Sequence, residues 1–213
     1  MKINKIVFCL LILFLTVCIT HESSARLKAR PVIDTVLKNY DKILAELEQK
    51  AVERNTDSLG TLLNEINFQV KTTNLADYEE GFIPHIELEQ PKANLLNLAD
   101  KDQIVITDNK ITIIIDYPLT NEYRFTLVST TGFTREQLVT AISDQYHKLY
   151  REEEATATVK TIPANERTTL YNRNQTNGKY GIWGHDIADL VLANILVYKS
   201  PDGTILLSLN IES

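Results

Sequence analysis

Apolar and polar residues alternate along this chain with three different periods, and each period predicts a different element. From Pro31 onward, Ile33, Val36, Tyr40, Ile43 and Leu47 recur at alternating steps of three and four, with Leu37, Leu44 and Ala51 widening the stripe. That is the period of an amphipathic helix over about Pro31–Arg54. The widened stripe favours a helix folded on its neighbour over a two-stranded coiled coil. The run Asn55-Thr56-Asp57-Ser58 breaks it with capping residues. Leu59, Leu62, Leu63 and Ile66 resume the helical spacing and predict a second, shorter helix, so residues 26–71 read as a helical hairpin.

Period two replaces this pattern further along. Gln103–Thr107 and Ile111–Asp116 are β-branched runs joined by Asp108-Asn109-Lys110, a reasonable hairpin link. Ile113-Ile114-Ile115 is apolar on both faces, as in a central strand covered on each side. Glu122–Ser129 alternates, with Tyr123, Phe125 and Leu127 on one face. Thr134-Arg135-Glu136-Gln137 then fits a capping box that opens a long helix with Leu138, Ile142, Tyr146, Leu149 and Tyr150 on its buried side. Glu152-Glu153-Glu154 closes that helix against its macrodipole, which predicts fraying. A short helix is expected after Asp186, with Ile187, Leu190, Val191 and Ile195 inward. Leu196–Lys199 and Thr204–Ile211 then form a hairpin across Ser200-Pro201-Asp202-Gly203, with Leu207, Leu209 and Ile211 inward and Ser208 and Asn210 outward. The sum is an α+β fold: an N-terminal helical hairpin, then residues 72–213 as an antiparallel sheet of about five strands carrying one long and one short helix, the whole of 31–213 forming one compact domain or two.

The first residues follow none of these periods. Met1–Lys5 carries two lysines, Ile6–Thr20 is nearly all apolar, and His21–Ala25 turns polar and ends small. This is the form of a secretory signal peptide cut after Ala25, and it makes the protein an exported one. Leu15-Thr16-Val17-Cys18 loosely resembles a lipobox, with Cys18 as a lipidated alternative, although Val17 is larger than that pattern wants. An uncleaved anchor over residues 6–20 is the other alternative. Membrane contact is expected only through such an N-terminus. Both cysteines, Cys9 and Cys18, fall in this segment. A chain cut at Ala25 therefore has no disulfide and no thiol nucleophile, and must be held by its core.

Charge narrows the partners. The whole chain carries −6, and losing Lys2, Lys5 and Glu22 takes its 22 basic and 28 acidic residues to 20 and 27, a net −7. Nucleic acid, which wants a basic face, is disfavoured. A protein or a small ligand is the expected partner.

Candidate chemistry gathers in Thr176–Ile195. Gly178, Gly181 and Gly184 are evenly spaced, Trp183 is the only tryptophan, and His185 and Asp186 follow. The spacing matches neither the dinucleotide fingerprint nor the P-loop, so no cofactor is expected. His185 with Asp186 or Asp189 could work as an acid–base pair or hold a metal with help from His147 or Asp144, which would make a small exported hydrolase or metal-dependent enzyme. The plainer roles are a cap for Asp186, dipole support for Asp189 and a loop hydrogen bond for His185. No G-x-S-x-G elbow is present. Tyr171, Arg173, Lys179, Tyr180 and Trp183 interleave aromatic and basic groups as a ligand-binding loop does; the same composition suits an aromatic plug at the sheet edge. The leading expectation is a non-catalytic interaction or ligand-binding protein.

Overall fold

A computed structural model of the chain describes residues 39–53, 55–167 and 173–213. The chain divides into two compact units, 1–49 and 50–213. The expected signal peptide, the start of the N-terminal helix and Tyr171 lie outside the described residues. Helix α1 covers residues 39–52, as the apolar stripe predicts.

From there the chain runs through strands β1 (Thr61–Asn67), β2 (Val70–Lys71), β3 (Phe82–Ile83) and β4 (Ile86–Glu87), then a single-turn helix α2 (Lys92–Leu95). Strands β5 (Ile104–Ile106), β6 (Lys110–Ile115), β7 (Tyr123–Val128) and β8 (Phe133–Thr134) precede helix α3 (Arg135–Thr156). Strands β9 (Val191–Lys199) and β10 (Ile205–Glu212) close the fold. The main sheet has six strands in the order β1-β9-β10-β6-β7, with β4 pairing beside β1 along β9. The fold is α+β with a mixed sheet. No helix among the described residues is long and apolar enough to cross a membrane.

Four expectations change. The residues read as a second helix form β1, antiparallel to β9. Four apolar residues at helical spacing cover only two turns, too few for a helix to hold alone. The ladder on β9 satisfies the same backbone and still buries Ile66. The sheet is not purely antiparallel, because β10 pairs with β6 in parallel, Leu207 lying beside Ile113. With β7 on its other edge, β6 has no edge left for β5, so the expected β5–β6 hairpin does not form and β5 pairs with β8 in a separate ribbon. The short helix after Asp186 is one 3-10 turn, Ile187–Asp189. Val191–Ile195 continues instead as β9, where its β-branched and apolar residues pair on both sides.

The centre follows the pattern. Ile111, Ile113 and Ile115 are wholly buried, as are Leu138, Ile142, Tyr146 and Leu149 of α3. The helix lies over that face, with the Tyr123 hydroxyl donating to Gln145 Oε1 at 2.8 Å and the Tyr146 hydroxyl to the Tyr117 carbonyl at 2.8 Å. On the opposite face Ile114 packs with Tyr198 and Leu206, flanked by Leu59 and Leu196. This second cluster explains why Ser208, expected outside, is buried: it shares a face with Ile114 and Leu196. Pro201–Gly203 turns the last hairpin, with the Gly203 N–H donating to the Ser200 carbonyl at 2.9 Å. Asp202 accepts from the Ser200 hydroxyl and the Thr204 N–H, which holds its carboxyl down at about 2.

Candidate functional site

Helix α3 begins with the expected capping box, Thr134 and Gln137 exchanging side-chain and backbone bonds. Its other end differs from expectation. Instead of fraying at the three glutamates, it stays helical to Thr156, and Glu153 is completely buried. The carboxylate is held by four donors. Oε1 accepts the Thr176 hydroxyl at 2.6 Å and the Gly178 N–H at 2.8 Å. Oε2 accepts the N–H groups of Tyr180 at 2.7 Å and Gly181 at 3.1 Å. Each neighbouring glutamate also has a partner. Glu152 takes the Tyr180 hydroxyl at 2.5 Å and Lys179 at 2.9 Å, and Glu154 takes the Thr161 hydroxyl at 2.9 Å.

Two glycines are required by this arrangement. A Cβ at Gly178 would lie 2.7 Å from the Glu153 carboxyl carbon and backbone oxygen. Gly181 has φ +63°, and a Cβ there would lie 2.9 Å from the Thr120 side chain. The glycine segment thus wraps a carboxylate of its own chain, with the backbone N–H groups turned inward as they would be toward a bound anion.

Burial works to raise the Glu153 pKa, but the bonds from Thr176, Tyr180, Gly178 and Gly181 outweigh it and leave the carboxyl below its ordinary value. A depressed folded-state value means that the stabilisation is complete above the unfolded carboxyl's value of about 4.3 and is lost as pH falls through the folded value. Urea unfolding between pH 3 and pH 6 should therefore show an acid-side loss of stability in the native chain that is much smaller in Glu153→Gln. Equal acid limbs in the two proteins would mean that other carboxyls set the acid limit.

The segment's aromatic and charged residues meet on the far side of this cradle. Trp183, 2% exposed, packs edge-on against Tyr117 with ring centroids 5.2 Å apart. The half-buried His185 ring stacks on Tyr117 at 5.6 Å. Its Nε2 is 3.5 Å from the Ser213 hydroxyl, which lies 2.8 Å from the Tyr117 hydroxyl. Asp186 is paired with both Arg167 and Arg173, with Arg167 engaging both of its oxygens. The Arg173 guanidinium lies over the Tyr150 ring at 5.1 Å, and the Tyr150 hydroxyl donates to the His185 carbonyl at 2.8 Å. Asp189 accepts the Asp186 N–H at 2.9 Å.

His185, Asp186 and Asp189 are therefore close in space, but both carboxylates face other donors. Among the residues proposed for ligand contact, Arg173 and Tyr180 are buried with Trp183, at 5% and 3% exposure. Lys179 is at the surface with its ammonium over the Tyr180 ring at 4.9 Å. The Tyr180 hydroxyl and Glu152 hold that ammonium's pKa well above its usual value.

His147 and Asp144 stand elsewhere, on the face of α3 opposite the segment 89–95. A cleft of about 340 Å³ runs between them, lined in part by Lys92, Leu95 and Thr140. The Ser143 hydroxyl donates to the Leu88 carbonyl at 2.6 Å, and His147 Nε2 lies 2.7 Å from the Glu89 carbonyl, so two bonds fix one wall to the other. A carbonyl oxygen only accepts, so Nε2 carries the proton and Nδ1 keeps a lone pair in the neutral ring. Among the described residues, the side chains of Glu89, Lys92, Thr140 and Asp144 make no hydrogen bond or ion pair. Sequence reasoning passed over this cleft because its two walls are about fifty residues apart; the spacing Thr140, Asp144, His147 on one helical face was its only signal.

Fold and site together define an α+β protein whose glycine segment is locked by internal polar bonds and whose cleft has unengaged ones. Compared with protein-family models, curated proteins and solved structures, the chain matches none of them.

Proposed function

We propose that this is an exported, non-catalytic binding protein. What supports the reading is a contrast in how polar groups are used. The groups best suited to acid–base work in the glycine segment are engaged by structural partners: Asp186 by two arginines, Asp189 by a backbone N–H and the neighbouring Glu153 by four donors. A general base needs a lone pair available to its substrate. Unengaged polar side chains instead line the cleft between α3 and 89–95, in a volume suited to a small ligand. The charged start, apolar middle and small residues over Met1–Ala25 support export.

A second reading, a small exported hydrolase, is favoured by one observation, the approach of His185 Nε2 to the Ser213 hydroxyl. The two readings separate on His185→Ala, whose imidazole is not buried enough for its loss to unfold the chain. NMR spectra of labelled protein titrated with pools of small metabolites should show saturable shifts around residues 89–95 and 140–147, unchanged in His185→Ala. Turnover of an ester or peptide substrate that vanishes in the folded His185→Ala variant would sink the binding reading and establish the enzyme.

A further inference from the structure

We infer that the cleft between α3 and the segment 89–95 takes a small organic primary amine, bound as its ammonium ion; this rests on the binding-protein reading above and narrows it to a ligand class. The lining is rich in acceptors. Glu89 and Asp144 bring two carboxylates, His147 a ring whose Nδ1 keeps its lone pair, and Thr140 a hydroxyl, against the single cation of Lys92. A lining with more negative than positive charge, two carboxylates against Lys92, fits a ligand that carries positive charge and several N–H donors. An ammonium group supplies both. Between the polar residues of the 89–95 wall, Pro91, Ala93 and Leu95 give a hydrocarbon surface for the body of the amine.

A metal ion fits this cleft less well. Among the described residues no three His, Cys, Asp or Glu side chains gather closely enough to hold one. The acceptors are instead distributed over both walls, Glu89 on one and Thr140, Asp144 and His147 on the other, as contacts to an extended ligand would be. An anion fits less well again, since it would face Glu89 and Asp144 with only Lys92 to offset them.

The site is also preformed. Ser143 is 3% exposed and bound to the Leu88 carbonyl, while the His147 bond to the Glu89 carbonyl sets the imidazole tautomer and ring angle. The walls are thus held at their spacing before any ligand arrives, which lowers the ordering cost of binding. Asp144 and Thr140 are on successive turns of α3, four residues apart, and therefore share its cleft-facing side.

The test uses two probes of equal length and opposite charge, butylammonium and butyrate, titrated into the labelled full chain at pH 7.5. Butylammonium should give saturable shifts in the amides of 89–95 and in the His147 ring signals, and butyrate none. Asp144→Asn, at an exposed position with no structural bond, should stay folded and weaken butylammonium binding by tenfold or more. Butylammonium shifts that do not saturate, or that persist undiminished in Asp144→Asn, would overturn the proposal. Preferential binding of butyrate would overturn it as well while leaving the protein a binding module, with Lys92 leading recognition. The binding reading itself falls only on the separate His185→Ala turnover result.

Discussion

Glu153→Ala should cost the fold about 4 kcal/mol, a large part of the ~5–15 kcal/mol that holds a domain together. The wild-type carboxylate answers three backbone N–H groups and the Thr176 hydroxyl in a place closed to water. Alanine leaves the three backbone N–H groups without an acceptor, while the Thr176 hydroxyl keeps the Ile182 carbonyl at 3.1 Å, and each buried orphan costs about 1–3 kcal/mol. Glutamine tests the charge and the acceptor count apart from size. Its oxygen can serve one pair of donors, but its amide N–H groups then confront at least one backbone N–H of the other pair, and no rotation of the amide satisfies both. Glu153→Gln should therefore cost about half as much as Glu153→Ala. Thr176→Ala should cost about 1 kcal/mol and should not add fully to Glu153→Ala, because the two residues share a bond. Urea unfolding midpoints at neutral pH measure all three. Losses below about 1 kcal/mol for both Glu153 variants would mean that the glycine segment holds its path without the carboxylate.

The legible parts of the chain were those whose signals are local. The capping box at Thr134, the period of α3, the alternation of β7 and the Ser200–Gly203 turn all formed where the sequence puts them, because the signal of each lies within a few residues and its partners, such as β6 for β7, are near in the chain. The apolar run Ile113–Ile115 correctly announced a central strand, but no local feature says which strands flank it. The parallel neighbour β10 arrives some ninety residues later. Leu59–Ile66 failed for the opposite reason. Its local pattern was helical, and pairing with the distant β9 overrode it.

Glu152-Glu153-Glu154 is the most instructive case. Three carboxylates at a helix C-terminus conflict with the macrodipole, and the conflict is itself a signal that partners come from elsewhere. The evenly spaced glycines were a second signal of the same structure. What sequence could not supply was the link between them, since Glu153 and Gly178 are 25 residues apart and nothing local to either stretch points to the other. The segment does cradle an anion, but one that belongs to its own chain.

Trp183→Ala should be nearly as damaging as Glu153→Ala, at about 4 kcal/mol, and for a different reason. The indole is almost fully buried and packs edge-on against Tyr117 and His185, so truncation leaves a large cavity in the plug that joins the glycine segment to the turn at Tyr117–Leu119. Phenylalanine should restore most of the loss. The Trp183 Nε1 has no hydrogen-bond partner among the described residues, so removing its N–H breaks no bond and leaves no acceptor unpaired. The remaining cost is the difference in ring volume, well under half of the alanine penalty. As the only tryptophan, Trp183 also reports its own surroundings. Native emission should be blue-shifted and poorly quenched by iodide, then shift to the red in a single transition that coincides with the loss of far-UV circular dichroism. Red-shifted, readily quenched emission from the native protein would mean that the plug opens without global unfolding. The cradle around Glu153 would then be a latch rather than a fixed support, and Trp183 would return to the ligand-binding surface.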